Sequence, residues 1–223
     1  MIAVGLDRPW LVADLPRPMR TLSWAPHRPG YAMASRIVWR EIRNADLTED
    51  LEVAPWFRAE LQAAGQGDAV AMLTSRDIGT YRQASAEVAG IVADCVATAG
   101  LSNAESVGRR LPYHSADWGT INLAVAVAAP LSESAQLEAL SVAVQARTAA
   151  VVAAGLMLAT GPATGTGTDC VVMACDAGDL PFAGLHTAVG EAVGAAVLAA
   201  VTGAVDDWLR WRDEETARRA ARE

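Results

Sequence analysis

The sequence contains no lysine, because all 18 of its basic residues are arginine. Every mechanism that depends on a lysine amine is therefore excluded, including Schiff-base catalysis, the phosphate-binding lysine of a P-loop and a lysine general base. Aromatic residues are also scarce, at 5% of the chain, and only three histidines are present. The remaining candidates for catalysis are carboxylates, hydroxyls and a few imidazoles.

Positive charge is in deficit as well. The 26 acidic residues outnumber the 18 basic ones, which gives a formal net charge of -8. Nucleic-acid binding depends on basic patches that displace counterions from phosphates, and this balance opposes it. The composition predicts no nucleic-acid partner.

The sequence has no metal or disulfide signature. Its three cysteines, Cys95, Cys170 and Cys175, are an odd number without the paired spacing of a zinc site. The histidines lie far apart and form no His-Glu-x-x-His motif. We therefore expect no metal and no resident cofactor.

The first twenty residues lack the unbroken apolar run of a signal peptide, because Asp7, Pro9, Asp14 and Pro16 interrupt it. An odd number of cysteines is also unusual for a secreted, disulfide-bonded protein. Both features predict a cytoplasmic protein with reduced thiols.

Small apolar side chains are abundant: 52% of the 223 residues are hydrophobic, and 47 are alanine. A chain of this length can form one core without disulfides or metals. We expect a single domain over residues 1–205 and a charged helical extension over residues 206–223. The apolar run 188–205 approaches the length of a membrane span, but its alanine and glycine content and Glu191 favour a buried helix, not a membrane span.

Runs rich in valine, isoleucine and leucine predict strands, and helical spacing of apolar residues predicts helices. Several strands follow one another with connections too short for a crossover helix, so the sheet should be mixed and largely antiparallel. The predicted fold class is α+β, with long alanine-rich helices packed on this sheet, and α/β is the alternative. The predicted strands are residues 10–15, 20–25, 69–74, 88–98, 120–128 and 169–175, and the predicted helices are residues 49–64, 132–154 and 186 onward.

The most unusual string is ATGTGTD at residues 163–169, where hydroxyls alternate with glycines before a predicted strand. Glycine lets backbone amides approach a ligand closely, and threonine hydroxyls can donate or accept hydrogen bonds. The alternative is a tight turn whose hydroxyls bond to their own backbone. The string lacks the G-x-G-x-x-G spacing of a dinucleotide site.

A second string lies at the start of the last predicted helix. Thr187 suits the N-cap, and Glu191 suits the first turns, where the helix dipole favours negative charge. His186 has no such structural explanation. Gly190 and Gly194 predict that a sheet, another helix, a flat ligand or a second copy of the chain packs closely on that face.

Two asparagines lie at strand ends, Asn103 after one predicted strand and Asn122 at the start of another. Each alone is more often a turn former or a satisfied buried amide than a catalytic group. Together with the neighbouring threonines and glycines, they suit the recognition of a ligand that is rich in amides.

These strings occur in the order seen in adenosylcobinamide amidohydrolases of the CbiZ type, and the sequence resembles that family from about residue 20 to residue 205. The resemblance implies a corrinoid substrate and hydrolysis of the amide that joins aminopropanol to the corrin ring, giving adenosylcobyric acid for cobamide (vitamin B12) salvage. Its most specific parts are residues 164–169, and 184–187 with 190–191. Its other parts are residues 22–25, 98–103, 119–122 and 130–131.

The chain departs from the family pattern at three instructive positions. Trp24 stands where the family tends to have the second serine of Leu-Ser-Ser-Ala, Gln145 replaces a carboxylate in the long helix, and Arg147 replaces a lysine. Loss of the carboxylate leaves a non-hydrolytic corrinoid-binding protein as the alternative function. A nucleotide-binding enzyme that uses residues 164–169 as a phosphate loop is a further alternative, which the absence of lysine opposes.

Amide hydrolysis needs an activated nucleophile, donors for the oxyanion and an acid for the leaving amine. His186 is predicted to carry the proton, because imidazoles exchange protons near neutral pH, with Asp169 or Glu191 orienting it or activating water. This assignment requires the two strings to converge on one cavity. The predicted substrate-binding residues are Ser23, Asn103, Asn122, Thr164, Gly165, Thr166, Gly167, Thr168, Thr187 and Gly190.

Overall fold

The computed structural model describes residues 1–43, 46, 51–112 and 119–222. Within these residues the chain begins with three strands and ends with its longest helix. The strands are β1 (Ala3–Asp7), β2 (Trp10–Ser23), β3 (Gly30–Glu41), β4 (Val70–Thr74), β5 (Arg82–Val88), β6 (Ile91–Ala99), β7 (Ala104–Glu105), β8 (Ile121–Leu131), β9 (Met157–Leu158), β10 (Gly161–Pro162), β11 (Gly165–Thr166) and β12 (Cys170–Ala177). The helices are α1 (Val53–Ala63), α2 (Glu133–Ala153) and α3 (Ala188–Ala220).

One eight-stranded sheet organises the fold, with the strand order β4-β3-β2-β12-β8-β6-β5 and β1 paired to β2. The pairs β3–β4 and β8–β12 are parallel. The other neighbouring pairs of this sheet are antiparallel. This mixed, largely antiparallel sheet with long helices confirms the predicted α+β class.

Strand β2 is longer than predicted. The sequence indicated two strands interrupted by Pro16 and Pro18, but a single strand runs from Trp10 to Ser23. Its register against β3 shifts between Asp14 and Met19. A bulge of this kind accommodates prolines, because a proline has no N–H to give to the ladder.

Three strands of the main sheet, β1, β3 and β5, and the four two-residue strands β7, β9, β10 and β11 were missed from the sequence. The sequence of β3 shows little alternation of hydrophobic and polar residues. Its residues are buried because β3 lies between two neighbours, β2 and β4. The predicted strand 88–98 is observed as β6, which begins at Ile91. The sequence missed its hairpin partner β5, which joins it through a turn at Ala89 and Gly90, both with positive φ. An Ala-Gly turn is not a typical hairpin signal, since Asn-Gly or Asp-Gly is the usual sequence.

Helices α2 and α3 form where helical spacing predicted them, and each begins at a hydroxyl N-cap. The Ser132 hydroxyl accepts a hydrogen bond from the amide of Ala135, at 3.2 Å, and the Thr187 hydroxyl accepts one from the amide of Gly190, at 3.0 Å. The predicted helix 49–64 is observed as Val53–Ala63, and its positions 49 and 50 lie outside the described residues.

Helix α3 continues without interruption from the apolar run into the charged segment that begins at Asp206. Its length and composition would allow it to cross a membrane, with a window of mean hydropathy 1.8, but 56% of that window is buried inside the protein. The helix packs on β5, β6 and α2. This burial is typical of a core helix and supports that expectation.

The sheet has a core on each face. Helices α2 and α3 cover one face of β6, β8 and β12 with small side chains. On the other face, Met72 of β4 belongs to the same buried cluster as Ala124 of β8, although several strands separate them in the sheet. A side-chain bond from Asn122 to the carbonyl of Leu73, at 2.8 Å, joins the same two strands. The long, bulged β2 therefore lets the sheet curl back over itself.

Strand β12 sets the positions of the two predicted site strings. Asp169 comes immediately before its first residue, while the segment that leads to α3 follows its last residue, Ala177. Strand β8 runs parallel to β12, so α2 and α3 both begin beyond the carboxyl ends of these strands. We call the amino end of β12 the Asp169 end and its carboxyl end the His186 end.

Candidate active site

At the Asp169 end, a single carboxylate joins four segments of the chain. Oδ1 of Asp169 accepts hydrogen bonds from the amide of Ile121, at 2.9 Å, and from the hydroxyl of Thr166, at 2.6 Å. Oδ2 accepts one from the amide of Thr166, at 2.9 Å, and forms an ion pair with Arg147 of α2. The carboxylate therefore links β8, β11, β12 and α2.

The Arg147–Asp169 ion pair is nearly shielded from water, because the two side chains are only 12% and 7% exposed. Burial lowers the pKa of the Arg147 guanidinium below its ordinary value. With both carboxylate oxygens occupied by donors, Asp169 has little capacity left to activate a water molecule. Its contacts are those of a structural anchor.

The threonine hydroxyls of the same loop are also used within the protein. Thr164 donates to the carbonyl of Glu105, at 3.2 Å, and Thr168 donates to the carbonyl of Gly119, at 3.0 Å. Gly165 is buried beneath Arg147, whereas Gly167 is exposed with open space around it. The loop is thus closer to the turn alternative than to an open set of donors for a substrate.

The expectation that the two strings converge on one cavity is wrong. The eight residues of β12 lie between them, which corresponds to about 26 Å at roughly 3.3 Å per residue. Asp169 and His186 are therefore beyond opposite ends of β12 and cannot act on the same bond. The physical reason is that a strand separates its two flanking loops by its full length.

Three more of the predicted substrate-binding residues are satisfied within the protein or shielded. Asn122 is 1% exposed, and its amide binds Leu73 and Thr120. The hydroxyl of Ser23, also buried, accepts from the amide of Ala25 at 3.3 Å. Oδ1 of Asn103 is buried, and no donor among the described residues reaches it. Asn122 and Ser23 are therefore engaged within the protein in this conformation.

The His186 end differs, because side chains there remain exposed. His186 and Glu191 are both exposed at the start of α3, and neither side chain makes a hydrogen bond to the described residues. Thr187 is committed to capping, since it also donates to the carbonyl of Gly184 at 2.8 Å. Glu138 of α2 accepts from the amide of Ala183 at 2.8 Å and so holds the preceding loop in place.

Gly190 explains the close packing that the sequence predicted on this helix face. A Cβ at this position would lie 2.1 Å from the carbonyl oxygen of Gly184. The neighbour is therefore the protein's own loop and not a flat ligand. Gly194, one turn later, is spaced normally, because a Cβ there would lie 3.6 Å from Val142 of α2.

Gly190→Ala should lower the free energy of unfolding by about 1–3 kcal/mol, because the added methyl group must displace rigid backbone. Gly194→Ala is the matched control, and it should be neutral or stabilise by up to about 1 kcal/mol, the helix propensity difference between the two residues. Urea titrations of both variants measure this. Equal stability of the two would contradict the packing described at Gly190.

The structure shows what contacts each of the three residues that depart from the family pattern. Arg147 forms the ion pair with Asp169, so it performs a structural task that a lysine could also perform. Gln145 is exposed on α2 and bonds to Ser141, at 3.1 Å, one turn earlier. Trp24 is half exposed and donates from Nε1 to the carbonyl of Asp169, at 2.7 Å. Gln145 therefore faces solvent, two residues before the Arg147 that pairs with Asp169.

A cavity of about 830 Å³ lies elsewhere, between the C-terminal half of α3 and the segments around β7 and β9. None of the predicted site residues lines it. Its walls include Leu101, Leu111, Leu156, Trp208, Trp211 and Arg212.

Metal-binding groups do not cluster in the described part of the chain, where no three His, Cys, Asp or Glu side chains are placed to share an ion. The three cysteines are buried and free. Burial raises the pKa of Cys170 to about 12, so this thiol stays protonated at neutral pH. A protonated thiol is neither a good nucleophile nor a metal ligand.

The sequence did not reveal the roles of two residues, Arg147 and Glu138. Arg147 was noted as a departure but not as the partner of Asp169, and no local pattern connects residues 22 positions apart in this way. Glu138 gave no signal either, because a carboxylate on an amphipathic helix is usually on a solvated face. Only the packing of α2 against the two ends of β12 shows what these residues contact.

Comparison with known proteins places the chain in one family. The family model described as adenosylcobinamide amidohydrolase matches residues 2–213. An adenosylcobinamide amidohydrolase of Halobacterium salinarum is 38% identical over 104 residues, covering 43% of this chain and 42% of that protein. The chain thus matches about two fifths of that relative's length.

Because the family model matches nearly the whole chain, the protein belongs to the adenosylcobinamide amidohydrolase family. The resemblance predicted from the sequence strings is confirmed at this level.

Proposed function

We propose that the protein hydrolyses the aminopropanol amide of adenosylcobinamide and releases adenosylcobyric acid, a reaction that serves cobamide salvage. The family match over residues 2–213 is the observation that carries this proposal. The acidic, lysine-free composition supports a substrate other than a nucleotide or nucleic acid.

The His186 end is the better place for the chemistry. A catalytic base must have a free lone pair, and a general acid must be able to reach the leaving group. His186 is exposed and so can meet a substrate, whereas Asp169 is enclosed by its four donors. We therefore assign proton transfer to His186 and a structural role to Asp169.

In the proposed reaction, the imidazole of His186 removes a proton from water as the water oxygen attacks the amide carbon. The protonated ring then donates that proton to the departing nitrogen, and the C–N bond breaks to give a carboxylic acid and aminopropanol. The amides of Ala188 and Val189 lie in the first turn of α3, where backbone N–H groups have no intrahelical acceptor. These two groups are the proposed donors to the oxyanion.

Glu191 is the proposed partner of His186. With Thr187 as the N-cap, His186 occupies the position before the cap and Glu191 the fourth position of the helix. Side chains at these two positions commonly meet across the start of a helix. A carboxylate there would orient the ring and stabilise its protonated form.

The position of Gln145 bears on the alternative function, a corrinoid-binding protein that does not hydrolyse its ligand. This side chain is exposed on α2 and bonds within its own helix. Gln145 lies seven residues along α2 from Glu138, the residue that contacts the loop before His186, which is about 10 Å of helix. The hydrolytic function is therefore favoured over binding alone.

The test is to incubate the purified protein with adenosylcobinamide, with EDTA present and ATP absent, and to quantify corrinoids and aminopropanol by liquid chromatography and mass spectrometry. Equal amounts of adenosylcobyric acid and aminopropanol are expected. Recovery of bound but intact adenosylcobinamide would support the binding function instead. A reaction that stops in EDTA would show that a metal is required.

We also propose that the protein works in a reducing, cytoplasmic environment. Cys95, Cys170 and Cys175 are buried as free thiols, which supports a compartment in which disulfides are not formed.

A further inference from the structure

Trp24, Tyr31 and Met33 form an exposed ledge on the helix-facing side of β2 and β3. Leu22 faces that side, because its partner Met173 belongs to the core under the helices. Trp24 follows Leu22 by two residues, and Tyr31 pairs with Leu22 across the strands. The three ledge side chains are 47%, 43% and 55% exposed.

Both aromatic side chains are held in place by their polar atoms. Nε1 of Trp24 donates to the carbonyl of Asp169 at 2.7 Å, and the hydroxyl of Tyr31 donates to the carbonyl of Glu133 at 3.2 Å. The guanidinium of Arg20 lies 5.8 Å from the centroid of the Tyr31 ring. Since the polar atoms are engaged, the surface that remains exposed consists of aromatic faces and the Met33 side chain.

Residues of the ledge make hydrogen bonds to segments at both ends of β12. Trp24 is bonded to Asp169 at one end. Tyr31 is bonded to Glu133, the first residue of α2, and the neighbouring Ser132 binds Leu180 in the loop that leads to His186. A ligand on the ledge would therefore lie between the two strings that carry the family resemblance.

The size and chemistry of the ledge suit one kind of occupant. Diagonal neighbours on adjacent strands are about 7–8 Å apart, and alternate residues of one strand add about 7 Å, so the ledge is roughly 14 Å long. A planar macrocycle of that width can cover it, with polar substituents on its rim reaching past the ledge. Fixed aromatic faces bind flat rings well and offer no directional hydrogen bonds.

We propose that the Trp24–Tyr31–Met33 ledge binds the corrin ring of the substrate by stacking, with the ring lying between the Asp169 end and the His186 end. This inference rests on the proposed function and adds the place where the macrocycle lies. It makes Trp24 a specificity-determining residue of this chain, because its indole is 47% exposed and is fixed by its bond to the carbonyl of Asp169.

The test compares Trp24→Ala and Tyr31→Ala with Trp24→Phe, which keeps an aromatic face but loses the indole N–H. Trp211→Ala is the matched control, because Trp211 is a similarly half-exposed indole on α3. Two quantities are measured for each: the Kd for adenosylcobyric acid by equilibrium dialysis, and kcat and KM for adenosylcobinamide. Adenosylcobyric acid retains the macrocycle and has no scissile aminopropanol amide, so its binding is independent of hydrolysis.

Both alanine variants should raise the Kd and the KM by about 10- to 100-fold, the loss expected for one aromatic stacking partner. The kcat and the melting temperature should stay near the wild-type values, Trp24→Phe should bind less tightly than the wild type but more tightly than Trp24→Ala, and Trp211→Ala should bind normally. Unchanged Kd and KM in both alanine variants would overturn the ledge even if hydrolysis is observed. Ledge-dependent binding without hydrolysis would instead support the ledge and contradict the proposed reaction.

Discussion

Replacing His186 by alanine should lower the turnover of adenosylcobinamide at least about 100-fold, the usual contribution of a positioned acid–base group. The side chain is exposed and makes no hydrogen bond to the described residues, so the fold should not depend on it. The measurement is the steady-state rate of adenosylcobyric acid formation, with the melting temperature recorded alongside. We expect the rate to fall and the melting temperature to stay unchanged.

The control for this variant is His27→Gln. The ring of His27 contacts the carbonyl of Gly67, at 2.9 Å, and a glutamine amide can replace that donor. Its rate should equal that of the wild type. Glu191→Gln adds a test of the partner: it should lower the rate less than His186→Ala does and alter the dependence of the rate on pH. A His186→Ala variant that retains more than a tenth of the wild-type rate would contradict the assignment of proton transfer to His186.

Replacing Asp169 by alanine should lower the free energy of unfolding by about 3–5 kcal/mol, the usual cost of removing one partner of a buried ion pair. The change leaves Arg147 shielded without a counterion and removes the acceptor of two backbone amides, those of Ile121 and Thr166. Activity should fall only as the temperature approaches the lowered melting temperature, where the native population falls. A catalytic role would instead lower activity at unchanged stability.

A double-mutant cycle separates the ion pair from the rest of the Asp169 contacts. Asp169→Ala, Arg147→Met and the double variant are compared by urea unfolding. The double variant should be less destabilised than the sum of the single variants, because the second change removes the charge that the first leaves unpaired. Additive effects would show that Arg147 and Asp169 do not stabilise each other.

Two glycines in the same loop provide an independent check on this geometry. A Cβ at Gly165 would lie 2.3 Å from Nη1 of Arg147 and 2.5 Å from Oδ2 of Asp169, whereas Gly167 has nothing within 4 Å. Gly165→Ala should therefore destabilise the protein by about 1–3 kcal/mol, as an overpacked site does. Gly167→Ala should leave the stability within about 0.5 kcal/mol of the wild type. Equal stabilities of the two variants would contradict the packing of Arg147 over the loop.

Much of the fold could be predicted because its signals are local. Helices α2 and α3 have hydroxyl N-caps and long alanine-rich runs, and both begin within two residues of the predicted positions. The prolines of β2 and the Ala89-Gly90 turn misled the prediction, because a bulge and an atypical hairpin depend on pairing with other strands. Strand β3 was missed for the same reason, since its burial comes from its neighbours.

The sequence indicated the two strings of the candidate site but not their positions relative to each other. The sequence singled out the two strings, and each has a defined structure. Their functions had to be reassigned, because the threonine hydroxyls and Asp169 are occupied within the protein. The sequence alone determined the family, the fold class and the scarcity of catalytic groups, since motifs, composition and periodicity are properties of the chain itself. Only the tertiary structure decided that Asp169 and His186 lie at opposite ends of β12, because the direction of a strand and the packing of α2 depend on contacts between residues that are distant in the chain.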